Sequence, residues 1–306
     1  MGVNFMSRSE KIFGFFFKKF LSEATKEKIE EYIVYIAIAS FVIHLIVIGL
    51  TDFGFLTIID PTKLLTNPIA ALYTPFSFIL IYEVYLLIYY LPKSITIYIG
   101  KQYEIITLIL IRRIFKDLAA LELTPDWFNV REDLAFTYDI VSTIILFFLI
   151  WLFYSLVAKK TALATTKSSR FPGTSQFIQM KNVVATILVP IFFAVALFSL
   201  FTWVQSLFAT GPENAEKIIN LDNIFFDSFF TVLILSDVLL LLISFLRTDR
   251  FSTVIRNSGF IISTILIKMS FSTSGPINNL LILGAVLYGV TILAIHNKYY
   301  KLPYSS

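Results

Sequence analysis

Four charged side chains, Glu83, Arg112, Asp237 and Lys268, stand inside stretches of sequence that are otherwise almost wholly apolar. Two kinds of chemistry are open to such residues. A carboxylate can hold and release a proton or a small cation, with a nearby base as the counter-charge. Alternatively, an acid and a base can form a fixed pair that sets the register of two helices, and a buried ion pair is by itself weak evidence for more than that. Charge at the centre of a bilayer costs on the order of 2.5–3.5 kcal/mol per residue on insertion scales, so acid and base are expected to seek each other. Secondary candidates are Arg113, next to Arg112, the acids Glu104, Asp139 and Asp227 near segment ends, and the hydroxyls Thr107 and Ser263, five residues before each base.

Covalent and metal chemistry has much less to work with. The chain has no cysteine, which removes disulfides, thiolate catalysis and iron–sulfur ligation. His44 and His296 are the only histidines, so no multi-histidine metal centre or haem site is expected. No Walker A loop, dinucleotide fingerprint or HExxH motif occurs. Tyr138-Asp139 resembles the first motif of intramembrane aspartyl proteases, but their Gly-x-Gly-Asp element is absent, and Asp237 sits in Leu235-Ser236-Asp237-Val238. The stretch Arg256-Asn257-Ser258-Gly259 lacks the earlier glycine of a rhomboid-type serine turn. A voltage-sensor comparison fails at the fourth segment, where Ser142–Val157 has no Arg or Lys to couple to the potential. The sequence therefore predicts no enzyme, no catalytic residue, no metal and no cofactor, and gives no support for nucleic-acid binding.

The elements that must position the charged residues follow from composition. Of 306 residues, 57% are apolar and 15% charged, with 32 Phe and a net charge of +4; mean hydropathy is +0.79. A soluble domain carries roughly 25% charged residues, so a bilayer is the expected solvent. A membrane helix needs about 20 mostly apolar residues. Six segments qualify: Tyr32–Leu50, Ile69–Leu91, Ala135–Ala158, Val183–Phe208, Ile224–Leu246 and Asn279–His296. Lys101–Ala119 and Asn257–Ser274 are marginal because Arg112, Arg113 and Lys268 interrupt them. With all eight crossing and the N-terminus inside, most of the 25 basic residues fall on the cytoplasmic side, as the positive-inside rule requires. The expectation is a multi-pass protein of the cell (inner) membrane with both termini cytoplasmic. Phe13, Phe16, Phe17, Phe20 and Leu21 share one helical face opposite Lys11, Lys18 and Lys19, which predicts an amphipathic interfacial helix within residues 1–28.

A weak repeat is also visible. Ile105–Phe115 and Ile261–Phe271 share six identities in eleven, with Thr107 on Ser263 and Arg112 on Lys268. Upstream, Phe76–Lys93 aligns without a gap on Phe230–Arg247, placing Glu83 on Asp237. This predicts an all-α protein of two four-helix units, 29–158 and 183–298, joined by a basic cytoplasmic linker at 159–182 and closed by a short tail at 299–306. Counted from the expected cytoplasmic ends, Glu83 lies about 12 Å deep, Arg112 about 16 Å, Asp237 about 14 Å and Lys268 about 18 Å. The expected pairs are Glu83–Arg112 and Asp237–Lys268. The first functional expectation is a channel-like or secondary-transport protein for a small ion or proton. The second is a non-transporting membrane scaffold or complex subunit, associating as a homo-oligomer or with a membrane partner, whose charges fix register.

Overall fold

The computed structural model describes residues 15, 19–55, 68–91, 93–118, 121, 131–164, 180, 182–191, 194–195, 198, 221–245, 251–273 and 275–299. The structure is all-helical, with 94% helix and no strand among the described residues. In chain order the helices are α1 (Glu23–Asp52), a short 3-10 turn (Pro68–Leu72), α2 (Tyr73–Tyr90), α3 (Ile95–Leu118) and α4 (Arg131–Ala164). There follow α5 (Asn182–Ile191), then α6 (Leu221–Phe245), α7 (Phe251–Phe271) and α8 (Pro276–Tyr299).

Local sequence explains several boundaries. Ser22 caps α1, its hydroxyl accepting the Thr25 amide at 3.2 Å, and so satisfies one of the donors left open at a helix start. The bend at Leu21 and Ser22 separates α1 from the helical residues 19–20; most of the expected amphipathic face, including Phe13, Phe16 and Phe17, lies outside the described residues. Between α7 and α8 the chain reverses at Gly275, whose φ of 67° lies in the left-handed region that an L side chain resists. Pro276 then opens α8, where its missing N–H deprives the helix of nothing.

Among the described residues, four helices are long and apolar enough to cross a membrane: α1, the Asp133–Ala158 part of α4, α7 and α8. The architecture is compatible with an integral membrane protein. Among the described residues, α1 packs on α2, α2 on α3, α3 on α4, α4 on α8, α8 on α7 and α7 on α6; α3 also meets α7. The centre is therefore the ring α3–α4–α8–α7, with α2 and α1 stacked outside α3 and α6 outside α7. Burial agrees with that order. Only 11% of the apolar window of α1 is buried, against 44% for both α7 and α8.

The distribution of residue types is inverted relative to a water-soluble fold. Ile36, Ile43 and Ile46 of α1, Ile144, Phe148 and Trp151 of α4, and Leu280 and Leu287 of α8 are exposed. Gln102, Arg112, Asp139, Asp237, Ser263, Asn278 and His296 are buried. Apolar side chains turned outward and polar ones inward is the arrangement that lipid imposes, since hydrocarbon offers no partner to a polar group.

The ring closes most tightly at Gly289. A Cβ on Gly289 of α8 would overlap the Tyr103 hydroxyl and stand 2.9 Å from Tyr103 Cζ. Gly289 is thus the seat of the Tyr103 ring, which packs edge-on to Phe153 with centroids 5.2 Å apart. Gly289→Ala is expected to destabilise the protein by about 1–3 kcal/mol through overpacking. The thermal midpoint in detergent should fall, and adding Tyr103→Phe should restore part of the loss because it removes the overlapping oxygen. An unchanged midpoint in Gly289→Ala would refute the close approach.

Candidate functional site

The polar residues of the ring stack in three layers along its axis. At the level where α3 ends, Arg113 joins three helices and, through Asn278, reaches a fourth. Its Nε donates to Asp139 Oδ2 and its Nη2 to Asp139 Oδ1 at 2.6 Å, a two-pronged pair with α4. Nη1 donates to Asn278 Oδ1 at 2.8 Å, and Nη2 also donates to Asn279 Oδ1, both on α8. The amides then use their own N–H groups. Asn279 donates to Asp139 Oδ1 at 2.7 Å, and Asn278 donates to the Ser270 carbonyl at the end of α7 at 2.6 Å. Asp139 is 3% exposed, so its charge depends on these donors rather than on solvent.

The middle layer is neutral apart from its acids. Ser263 donates to the Ala285 carbonyl at 2.7 Å and therefore accepts from the Tyr103 hydroxyl at 2.8 Å. Thr264 donates to Gln102 Oε1 at 2.7 Å, with the Phe260 carbonyl as a longer alternative at 3.2 Å. Gln102 Nε2 in turn reaches Asp237 Oδ2 of α6 at 3.4 Å. The Tyr98 hydroxyl, fully enclosed, stands beside Asp237 and Gln102 without meeting hydrogen-bond geometry with either. Thr107 donates to the Tyr103 carbonyl one turn back at 2.9 Å, so its hydroxyl is absorbed within α3.

The third layer lies where α7 begins and α8 ends. His296 is buried, and its Nδ1 sits 3.0 Å from the Ser252 carbonyl. A carbonyl only accepts, so Nδ1 carries the proton and Nε2 is left to accept from Arg256 Nη1 at 3.4 Å. Arg256 also donates twice to Asn257 Oδ1, at 3.2 and 2.9 Å. Asn297 donates to the Leu156 carbonyl at 2.9 Å and ties α8 to α4. From Asn279 to His296 this polar column spans about 25 Å along α8, most of a hydrocarbon thickness of roughly 30 Å.

The residues expected from the sequence fall into this picture unevenly. Glu83 of α2 is half-buried, with Glu104, Lys101 and Glu30 as its charged neighbours. Arg112 is buried and lies about 12 Å, two turns, beyond Glu104 on α3. The sequence places the start of this segment at Lys101, whereas α3 starts at Ile95. Asp237 stands at the level of Gln102 and Thr264, and half-buried Lys268 is one turn beyond Thr264 on α7. Glu104 accepts from the Tyr154 hydroxyl and pairs with Lys101 at 2.6 Å. The backbone of Asp227 lies in α6, and its side chain is outside the described residues. The structure thus sets Asp237 of α6 beside Gln102 of α3, and Glu83 of α2 within electrostatic reach of Lys101 and Glu104 on the same helix.

Sequence reasoning missed Tyr98, Gln102, Tyr103, Thr264, Asn278 and Asn279. A signal existed for part of this set. Asn257 and Thr264, and likewise Ser263 and Ser270, recur seven residues apart on α7, a polar stripe at the period of one helix face. No family model, curated protein or solved structure matches the chain.

Asp139 offers the clearest mutational test of the outer layer. Asp139→Ala leaves the Arg113 guanidinium without its carboxylate and is expected to cost about 3 kcal/mol. Asp139→Asn keeps an acceptor and should lose less. Thermal unfolding in detergent should rank wild type above Asp139→Asn above Asp139→Ala, and equal stability of all three would show that the network does not hold the ring together.

Proposed function

We propose that the chain is a channel-like or secondary-transport protein of the cell (inner) membrane that moves a small ion or proton along the polar column of α3, α4, α7 and α8. In this reading the protein has eight spans with both termini cytoplasmic, arranged as two four-helix units related by duplication. The way like elements meet supports the duplication: α3 packs on α7 and α4 on α8, each with the helix at the corresponding place in the other unit. The aligned hydroxyls Thr107 and Ser263 lie on this α3–α7 side of the ring, and Tyr103 bridges to Ser263.

The observation that carries the proposal is the column itself. Hydroxyls, amides and two carboxylates run through the interior from Arg256 and His296 to Arg113 and Asp139, inside an exterior of exposed Ile, Leu and Phe. Small residues or a few neutral contacts would hold helices together at lower cost in a bilayer. Ionisable groups in such a place are a functional hypothesis by default. Asp237 and Glu83 are the groups assigned to take up the cation or proton. Gln102, Thr264, Tyr98 and Tyr103 are the neutral groups that pass it along α3. Arg113, Arg112 and Lys268 set the counter-charge.

A scaffold or complex subunit is the second reading, and the Arg113 layer favours it. All the named donors and acceptors there are paired across four helices, which is what a register lock requires. The two readings part on flux. The purified protein is reconstituted in liposomes containing a pH-sensitive dye, with potassium and chloride gradients as parallel arms. Asp237→Asn and Glu83→Gln are expected to slow dissipation of one of these gradients at least about fivefold, with the thermal midpoint retained. No flux above empty liposomes, or equal flux in wild type and both variants, would leave the scaffold reading in its place.

A further inference from the structure

Three lysines, from α1, the turn after α2 and α3, converge at the end of the bundle where α1 begins, α2 ends and α3 begins. Lys93, in the turn after α2, has its Nζ 4.4 Å from the Tyr89 ring centroid and 4.7 Å from that of Tyr90. The same ammonium stands 3.3 Å from the Tyr89 hydroxyl. Lys26 of α1 lies 5.8 Å from the Tyr89 centroid, and Lys101 of α3 is 5.3 Å from that of Tyr90. The two rings meet edge to face, with centroids 5.1 Å apart, and form a wedge around which the ammonium groups gather. Lys93 is exposed, and the side chains of Lys26 and Lys101 keep 19% and 24% exposure.

The position of this cluster along the spans matters as much as its charge. The apolar part of α1 begins at Tyr32, and Lys26 lies about 9 Å before it, the level of the headgroups when Tyr32 marks the edge of the hydrocarbon. Tyrosine with lysine at that level is the composition of an interfacial anchor. Two carboxylates temper the charge: Glu23 pairs with Lys26 at 3.1 Å and accepts from the Tyr89 hydroxyl at 2.6 Å, and Glu104 pairs with Lys101. Three cations drawn toward two rings repel one another, and an anion placed over the wedge relieves that repulsion. Each lysine near an anionic surface contributes about 1 kcal/mol of attraction.

We propose that Lys26, Lys93 and Lys101 with Tyr89 and Tyr90 form a binding site for the phosphate of an anionic phospholipid headgroup. The site requires only that this end of the bundle meets a membrane surface and is independent of whether the protein transports anything. Lipid acyl chains extending from such a headgroup run along the exposed apolar face of α1, which provides Ile36, Ile43 and Ile46.

The test uses the full-length protein in phosphatidylcholine vesicles with trace spin-labelled lipid, comparing labelled phosphatidylglycerol with labelled phosphatidylcholine at the protein surface. Wild type is expected to select phosphatidylglycerol severalfold. Lys26→Gln/Lys93→Gln should lower that preference by about fivefold or more, from roughly 1 kcal/mol per lysine. Glu23→Gln should raise it, because a competing carboxylate is removed while an acceptor for Tyr89 remains. Lys28→Gln, an exposed lysine on the same helix outside the cluster, should leave it unchanged. Equal selection in the double variant, or an equal loss in Lys28→Gln, would overturn the site in favour of diffuse surface charge. Displacement of the labelled lipid by millimolar inorganic phosphate at constant ionic strength would overturn the lipid as occupant and assign the wedge to a free anion.

Discussion

Everything in this bundle follows from one constraint: α3 carries charges that hydrocarbon rejects, so other helices must enclose it. Lys101, Glu104, Arg112 and Arg113 lie on one helix of 24 residues. In water such a helix would turn them outward. Here α2, α4 and α7 pack around it, and Gln102, Tyr103, Glu104 and Arg113 meet partners on neighbouring helices. The Arg113 guanidinium shows how far this goes, because satisfying its planar fork takes a carboxylate from α4 and two amides from α8. The fork geometry dictates the rotation and height of both helices, which is more than apolar packing alone specifies.

The interior and exterior are complementary products of that constraint. Helix α1 needs little of the ring, has few polar groups within its apolar stretch and rests on α2 through Tyr82 to Glu30 and Tyr89 to Glu23. Helices α7 and α8 are more deeply buried and contribute serines, threonines and asparagines to the centre. Small residues permit the close approach those hydrogen bonds need. Gly259 lies against Ile292, and Gly289 lies against Tyr103, so backbone and ring meet where any larger residue would hold them apart.

The legible and illegible parts of the candidate site divide along chemical lines. Glu83 and Asp237 stood out because carboxylates are conspicuous in apolar sequence, and the alignment that matched them also placed Thr107 with Ser263, whose helices do pack together. Gln102, Asn278 and Asn279 were passed over because a neutral amide barely changes a hydropathy average and because each lay at an assumed segment end. Hydropathy starts the third segment at Lys101, yet an enclosed helix need not be uniformly apolar, and α3 starts six residues earlier, at Ile95.

Composition and hydropathy by themselves determined the helical class, the demand for a bilayer and the short list of acids and bases placed where charge is expensive. These are properties of local stretches, and a stretch of some 20 residues carries them whatever surrounds it. Only the tertiary structure decided which partner each polar group takes. A shift of one residue turns a side chain by about 100° around its helix and moves it about 1.5 Å along the axis, so partner choice depends on the heights and rotations of several helices together. Arg113 bonds Asp139 for that reason, and Gln102 reaches Asp237 at mid-depth.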